Sequence, residues 1–256
     1  MQKSAKKCKK VQNLNLKMLK LNLFFYLLFV FNFSYAQLDV LKNISNTANS
    51  FINAEKIQSD QDISNGLTEA LRISVIKACD NASQEKGFYK NDNIKIPFPT
   101  KINRVKKACL NIGLDKLVLD FEYSMNQTAE LVSSTATEII VQAVSSLRFN
   151  YAIQILNGSE NEATLYLKEK SFDNLYATFY PIVKNEMAKT GVQNILDLIL
   201  KRYSKIPLVK KVKFDLTDYI TLQTIEGIFY LIEENEKEIR NNPKARTTKI
   251  LKKIFN

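Results

Sequence analysis

Two carboxylates near the C-terminal end are the residues in this sequence best placed to do chemistry. Asp215 and Asp218 lie three positions apart in the run Asp-Leu-Thr-Asp-Tyr (215–219), so both can face one way at the start of a helix. Such a pair can bind a cation or share a proton, with Thr217 and Tyr219 as polar neighbours. The same residues can instead cap the helix by accepting hydrogen bonds from the free amides of its first turn. Capping is the favoured interpretation.

The composition excludes several other kinds of chemistry. The 256 residues include no His, no Trp, three Cys and only six Gly. Without histidine, Ser-His-Asp and Cys-His nucleophile arrangements cannot form, and a structural zinc site is disfavoured. Neither of the glycine-rich phosphate-binding motifs GxGxxG and GxxxxGK[ST] occurs. We therefore assign no catalytic residue, no metal ligand and no cofactor, and the balance of residues leans against an enzyme.

The first 36 residues have the pattern of a secretory signal peptide. Residues 1–20 carry seven Lys and no acidic side chain, and residues 21–33 are apolar except for two Asn. The small residues Ser34 and Ala36 suit cleavage after Ala36. The apolar run is shorter than the roughly 20 residues that a membrane-spanning helix needs. The sequence therefore predicts an exported, periplasmic protein whose translation starts at Met1 or at Met18.

Removal of the signal peptide changes the charge of the protein. The whole chain has a formal net charge of +11, but residues 37–256 keep 30 basic and 26 acidic side chains, a net charge of +4. A charge of this size does not indicate a protein that reads a nucleic-acid backbone, so no nucleic-acid partner is expected. No cysteine follows Ala36 directly, so a lipid anchor is not expected either.

The remainder of the chain has the periodicity of α-helices. Residues 37–58 are polar and predict a weakly ordered arm, whereas apolar residues recur at steps of three and four from about residue 59 onward. We predict a single all-α, bundle-like domain over residues 59–256 with about seven to nine helices. Two irregular connections, residues 87–100 and 204–215, are expected to be extended segments laid on the core. Gly66 and Gly227 fall within helical patterns and mark either close helix contacts or a modest loss of helix propensity.

Two cysteines could be joined or separate. Cys79 and Cys109 lie on apolar stripes on either side of the connection 87–100. If the two helices pair in antiparallel fashion, the two thiols come to similar depths, and an oxidising compartment would permit a disulfide bond. Two small buried thiols on different faces are the equally supported alternative.

The C-terminal tail is basic and amphipathic. Its charged residues are Lys244, Arg246, Lys249, Lys252 and Lys253. They would suit an anionic membrane surface or an acidic partner, but a terminal helix that docks its apolar face on the bundle is favoured. Just before the tail, Glu236 and Arg240 have the spacing of an ordinary helix ion pair. The aromatic segment 172–180 likewise fits a ligand cavity or, more simply, the core.

Four segments resemble a known bacterial family. KIPFP (95–99), LYATFYPIV (175–183), IPLVKKVKFDLTDYIT (206–221) and NPKARTTKILKKIF (242–255) are similar to segments of the family catalogued as domain of unknown function 4197. The likeness runs from about residue 60 to the C-terminus and departs from the family at Lys210, where members often have Gly. It implies an exported, mostly helical protein of Gram-negative bacteria and supplies no catalytic residues.

These observations favour a periplasmic interaction or structural module without enzymatic activity. A helical protein that binds an apolar ligand such as a lipid is one alternative, since bundles often hold ligands between their helices. A carboxylate- or metal-dependent hydrolase centred on Asp215 and Asp218 is the other. The expected partner is a cell-envelope protein or an anionic membrane surface.

Overall fold

Eight α-helices and two short 3₁₀ turns form the regular structure of residues 60–255, the part of the chain that the computed structural model describes. The helices are α1 (60–83), α2 (Asn103–Asn111), α3 (Asp115–Ser146), α4 (Ala152–Leu156), α5 (Glu162–Thr190), α6 (Val192–Tyr203), α7 (Leu216–Asn241) and α8 (Lys249–Ile254). No strand occurs within these described residues. The prediction of an all-α protein with seven to nine helices is confirmed. The predicted signal peptide (1–36) and arm (37–58) lie outside the described residues.

Three long helices make the centre of the fold. Helix α5 packs along both α3 and α7, while α6 and the short α2 pack against α3 and against each other. Each long helix contributes a stripe of apolar side chains at steps of three and four, which is why these segments are helical and why they associate. The most deeply buried large side chains include Phe121 on α3, Phe179 on α5 and Phe229 on α7.

The first and last described helices meet on one side of this centre. A Cβ atom at Gly66 of α1 would lie 2.3 Å from Cδ1 of Ile254 on α8, so only glycine allows the observed approach. Leu251 of α8 is fully buried, and Lys253 forms an ion pair with Asp62. The terminal helix is therefore docked on the bundle by its apolar face.

The connection between α1 and α2 is laid on the core, as the sequence predicts. Its apolar side chains Phe88, Ile94, Ile96 and Phe98 are all buried, so the segment acts as an extra layer of the core. It crosses α7 at Gly227, where an added Cβ atom would lie 2.7 Å from the ring of Phe88. Both glycines within helical patterns thus mark close contacts.

The described helices do not include a membrane span. None of those within residues 60–255 combines the length and the hydropathy that a transmembrane helix requires.

The approach of the connection to Gly227 predicts a stability effect. Gly227→Val should lower the free energy of unfolding by about 2 kcal/mol, because the added methyl groups would displace the buried ring of Phe88. Urea denaturation followed by circular dichroism measures the change. Ala177→Val, at an exposed position of α5, is the matched control and should cost only the small difference in helix propensity. Equal stabilities for the two variants would contradict the close contact.

Candidate functional site

Asp215 is the N-cap of α7. Its Oδ1 accepts a hydrogen bond from the backbone amide of Asp218 at 2.9 Å, and the residue itself has extended backbone geometry. The run 213–219 therefore folds as the capping chemistry dictates, with a carboxylate facing the positive end of a 26-residue helix. One of the two predicted carboxylates is used to start the helix.

Two tyrosines of α5 meet the two carboxylates. The hydroxyl of Tyr176 donates to Oδ1 of Asp218 at 2.7 Å, and the hydroxyl of Tyr180 approaches Oδ2 of Asp215 at 3.5 Å. The hydrogen bond to Asp218 raises the pKa of Tyr176 to about 12, because deprotonation would place a phenolate beside a carboxylate. At neutral pH this phenol stays protonated and acts as a hydrogen-bond donor. The cluster therefore joins α5 to the start of α7.

The other two predicted residues do different work. The hydroxyl of Tyr219 donates to the carbonyl oxygen of Pro97 at 3.0 Å and so fastens the α1–α2 connection to α7. Burial raises the pKa of Tyr219 to about 12. Thr217 borders an open groove with Lys184 and Gly191, and its carbonyl oxygen accepts a hydrogen bond from the Thr221 side chain. The structure brings together Asp215 and Asp218 but turns Tyr219 toward the connection.

Metal binding finds no further support in this region. Nowhere in residues 60–255 do three or more His, Cys, Asp or Glu side chains come together in a way that could hold a metal ion.

A row of polar residues on α3 holds the α1–α2 connection, and sequence reasoning missed it. Both carboxylate oxygens of Glu130 accept hydrogen bonds, from the backbone amides of Lys86, Phe88 and Tyr89 at 3.1–3.2 Å. One turn earlier, the side-chain amide of Asn126 bonds to both the N–H and the carbonyl of Ile96, at 2.8 and 2.9 Å. These contacts replace the backbone partners that an irregular segment lacks.

Glu122 extends this row by one more turn. It forms an ion pair with Lys106 of α2 at 2.6 Å, and it is about 9% exposed. Three polar residues at a spacing of four thus fasten the connection and the helix that follows it to one face of α3.

Glu130 has an unusual environment for a carboxylate. It is 6% exposed, and burial raises the pKa of Glu130 above its ordinary value of 4.5, while the three amides partly oppose the shift. The charge of the neighbouring Glu85 raises the pKa further. Desolvation thus favours the protonated form of the buried carboxyl group, but all its hydrogen bonds are to the protein backbone.

A second buried carboxylate joins α5 and α7. Glu236 of α7 is completely buried and accepts hydrogen bonds from the amides of Ala163 and Thr164 at 3.1 and 2.7 Å, in the first turn of α5. It also pairs with Arg240 at 2.8 Å. The guanidinium of Arg240 in turn donates to the carbonyl oxygens of Ile155 and Leu156 at the end of α4. This pair therefore caps two helix ends, and it is not the ordinary surface pair that its spacing suggests.

The basic tail is divided by the structure, which corrects one assignment. Arg246 is only 8% exposed, and its guanidinium donates to the carbonyl oxygens of Ile239 and Arg240 at 3.0 and 2.7 Å. It caps the C-terminal end of α7 and does not belong to a basic surface, because the free carbonyls there offer it partners that water would otherwise supply. The exposed cations of the tail are Lys244, Lys249, Lys252 and Lys253.

The two cysteines are free and buried. Cys79 lies on α1, and burial raises the pKa of Cys79 to about 11. Burial also raises the pKa of Cys109, which lies on α2 where this helix packs against α3 and α6. No disulfide bond joins these two thiols in the structure.

The aromatic segment 172–180 supplies core residues and one wall of an open groove. Phe179 is fully buried and Leu175 almost so, whereas Tyr176 and Tyr180 face the carboxylates already described. A groove of about 620 Å³ runs between the second half of α3 and the first half of α5. Arg148 and Lys170 stand beside it.

The environment of Glu130 predicts both a loss of stability and its pH dependence. Glu130→Gln should lower the free energy of unfolding by about 2 kcal/mol, because an amide NH₂ would face backbone N–H donors. Since the pKa of Glu130 is raised in the folded state, its carboxyl group stabilises most below pH 4.5 and loses this contribution as the pH rises through the folded-state pKa. The stability difference between wild type and variant should therefore shrink as the pH rises.

Urea denaturation between pH 4 and pH 7 measures this difference. Glu138→Gln, at an exposed position of the same helix, is the control and should stay within about 0.5 kcal/mol of wild type. A stability difference that grows with pH, or an equal effect of both substitutions, would contradict the described environment.

The Glu236–Arg240 pair predicts a larger effect. Glu236→Gln should cost about 3 kcal/mol, since it leaves the guanidinium of Arg240 without its counter-charge in a buried site. Glu234→Gln breaks the more exposed pair with Lys237 and should cost less than about 1 kcal/mol. Thermal and urea denaturation of the two variants give the comparison. Similar losses in the free energy of unfolding would contradict a larger contribution of the buried pair.

Comparisons with known proteins give one match. The family model described as protein of unknown function (DUF4197) matches residues 57–256. No curated protein and no solved structure matches the chain significantly. The matched range covers all the helices and contacts described above, including the capped start of α7 and the docked terminal helix. The chain therefore belongs to the family of proteins of unknown function designated DUF4197.

Proposed function

We propose that the chain is exported to the periplasm and acts there as an interaction or structural module, without catalysing a reaction. The proposal joins two lines of support, one from the leader sequence and one from how the folded helices use their charged side chains.

The observation that carries the proposal is the use of the buried charged groups. Glu130 and Glu236 accept hydrogen bonds from backbone amides, while Arg240 and Arg246 donate to backbone carbonyls at helix ends. A catalytic carboxylate needs an accessible side where a substrate atom can approach. Here these groups form their hydrogen bonds within the folded protein, which favours a protein that acts through its surface.

The carboxylates first singled out in the sequence support the same conclusion. Asp215 caps α7, and Asp218 accepts a hydrogen bond from a phenol that stays protonated at neutral pH. Their positions are explained by the joining of α5 to α7. The proposed location in the periplasm rests on the signal-peptide pattern of residues 1–36.

Export is tested by fractionation of cells that express the full chain. We expect the protein in the osmotic-shock fraction with Gln37 as its first residue. Ala36→Lys should block processing, because signal peptidase sites need a small residue there, whereas Ala36→Gly should be processed normally. A full-length precursor that stays in the cytosol with wild-type sequence would overturn the proposed location.

The absence of catalysis is tested by a variant that keeps the cap but removes the acids. Asn caps helices about as well as Asp, so Asp215→Asn with Asp218→Asn should keep the melting temperature within a few degrees. This variant should restore the wild-type phenotype to a deletion strain as fully as the wild-type protein does. Loss of complementation by a variant that is folded and exported would overturn the non-enzymatic part of the proposal.

A further inference from the structure

The last turn of α6 and the segment that follows it carry an unusual concentration of positive charge. Residues 201–213 hold six basic side chains and no acidic one. They are Lys201, Arg202, Lys205, Lys210, Lys211 and Lys213, and all six are exposed. None forms an ion pair with another residue of the range 60–255. We call residues 201–213 the basic loop.

This concentration accounts for the charge of the whole protein after residue 36. Outside the basic loop, residues 37–256 carry 24 basic and 26 acidic side chains, a net charge of −2. The basic loop is therefore one of the cation-rich stretches without an acidic residue, together with residues 95–107 and 244–253, and it has the largest number of cations of the three. Such an arrangement produces a directed electrostatic attraction to an anionic surface and does not make the protein generally basic.

The tip of the basic loop is an exposed leucine. Leu208 is 103% exposed, the highest value among the large apolar residues of the described chain. Its backbone has φ of +63°, a left-handed conformation that is uncommon for leucine. The turn thus holds an apolar side chain fully out in water at some cost in conformational energy, and no intramolecular contact of that side chain compensates for it.

The basic loop is nevertheless fixed to the body. Ile206, Val209, Val212 and Phe214 are partly buried and pack against the main core. Beyond the turn, the apolar residues are partly buried while Lys210, Lys211 and Lys213 are exposed, so the anchoring and the exposed sides are distinct. The loop therefore presents one exposed leucine that is flanked in the sequence by exposed cations on both sides.

We propose that the basic loop docks the protein on the surface of an anionic phospholipid bilayer. The lysines bind lipid phosphates, and Leu208 enters the layer between the head groups. A bilayer accepts a single protruding apolar side chain without a shaped pocket, and each basic residue near an anionic surface adds about 1 kcal/mol. An acidic protein partner would use the same lysines but would need its own pocket for the leucine.

This inference names the class of partner that the proposed module contacts. It rests on the proposed function only for the cell compartment in which the contact occurs. The basic loop has more exposed, unpaired cations than the C-terminal tail, which the sequence offered only as an alternative membrane site, because Arg246 of the tail is buried and Lys253 is paired with Asp62.

Vesicle binding tests the proposal with the chain as recovered from cells, so that every variant has the same N-terminus. Co-sedimentation with vesicles containing 30% phosphatidylglycerol in phosphatidylcholine, at about 50 mM salt, should show binding that pure phosphatidylcholine does not support. Replacing Lys210, Lys211 and Lys213 by Gln should weaken binding by about 100-fold, at about fivefold per cation. Raising the salt to about 0.5 M should weaken binding of wild type strongly.

The matched control removes the same charge elsewhere. Lys244, Lys249 and Lys252 are exposed, and none pairs with another residue of the described range, so replacing these three by Gln gives the same net charge as the loop variant. This control should change binding by less than about fivefold. Equal losses in the loop and tail variants would mean that only net charge matters, which would overturn the assignment to the loop.

The leucine is tested separately. Leu208→Asn keeps a residue that tolerates the left-handed conformation and should weaken binding about tenfold without loss of thermal stability. Because the chain contains no Trp, Leu208→Trp introduces a single tryptophan, which can be excited selectively at a wavelength that tyrosine does not absorb. Its emission should shift to the blue on anionic vesicles, whereas Leu165→Trp on the exposed face of α5 should not shift.

Each remaining outcome decides against the proposal. Absence of binding to anionic vesicles overturns it, and so does full binding by Leu208→Asn, which would indicate an electrostatic contact of the kind that an acidic protein makes. The assay is independent of export. If Leu208→Trp shifts to the blue but the protein is found in the cytosol, the docking loop stands and the proposed location is overturned. If the protein is periplasmic but shows no shift, the location stands and the docking loop is overturned.

Discussion

Burying a carboxylate costs several kcal/mol unless hydrogen-bond donors surround it, and this constraint shapes the whole fold. Three amides of the α1–α2 connection offset part of this cost for Glu130, and the first turn of α5 together with Arg240 offsets it for Glu236. In each case the carboxylate organises a part of the chain that could not satisfy its own backbone. The irregular segment and the short helix α4 keep their shape because side chains of the long helices supply the missing partners.

The same constraint explains why the fold is stable with few regular connections. The α1–α2 connection makes few bonds of the helical kind, yet it is held at three levels by Glu130, by Asn126 and by the hydroxyl of Tyr219. Its apolar side chains then fill the space above α7, where Gly227 leaves room for the ring of Phe88. The α1–α2 connection is therefore held both by hydrogen bonds to its backbone and by packing of its apolar side chains.

Much of the fold was predictable from the sequence, because apolar periodicity is a local property. The helical class, the connection laid on the core and the favoured cap at Asp215 follow from spacing and residue type. Gly66 and Gly227 left two alternatives open, and the structure shows close contacts at both. The role of Glu236 did not follow, since an i,i+4 pair with Arg240 is usually a surface feature. The available signal was its position within the apolar stripe between Ile232 and Ile239.

Burial of single polar residues depends on which elements meet in space, and one sequence does not contain that information. Arg246 was grouped with the exposed lysines for this reason, although it caps α7. The six cations on either side of Leu208 in the sequence were overlooked for a different reason, because the seven lysines of residues 1–20 dominate the charge of the whole chain.

The contact between Gly66 and Ile254 has a consequence for biosynthesis. It joins the first described helix to the last, nearly 190 positions apart in the chain, so it is a contact of very high sequence separation. Until α8 has left the ribosome, α1 lacks the partner that covers Gly66, and α7 lacks the arginine that closes its end. Closure of this flank therefore waits for the synthesis of α8, and a chain that stops before α8 would present an open flank to chaperones and proteases.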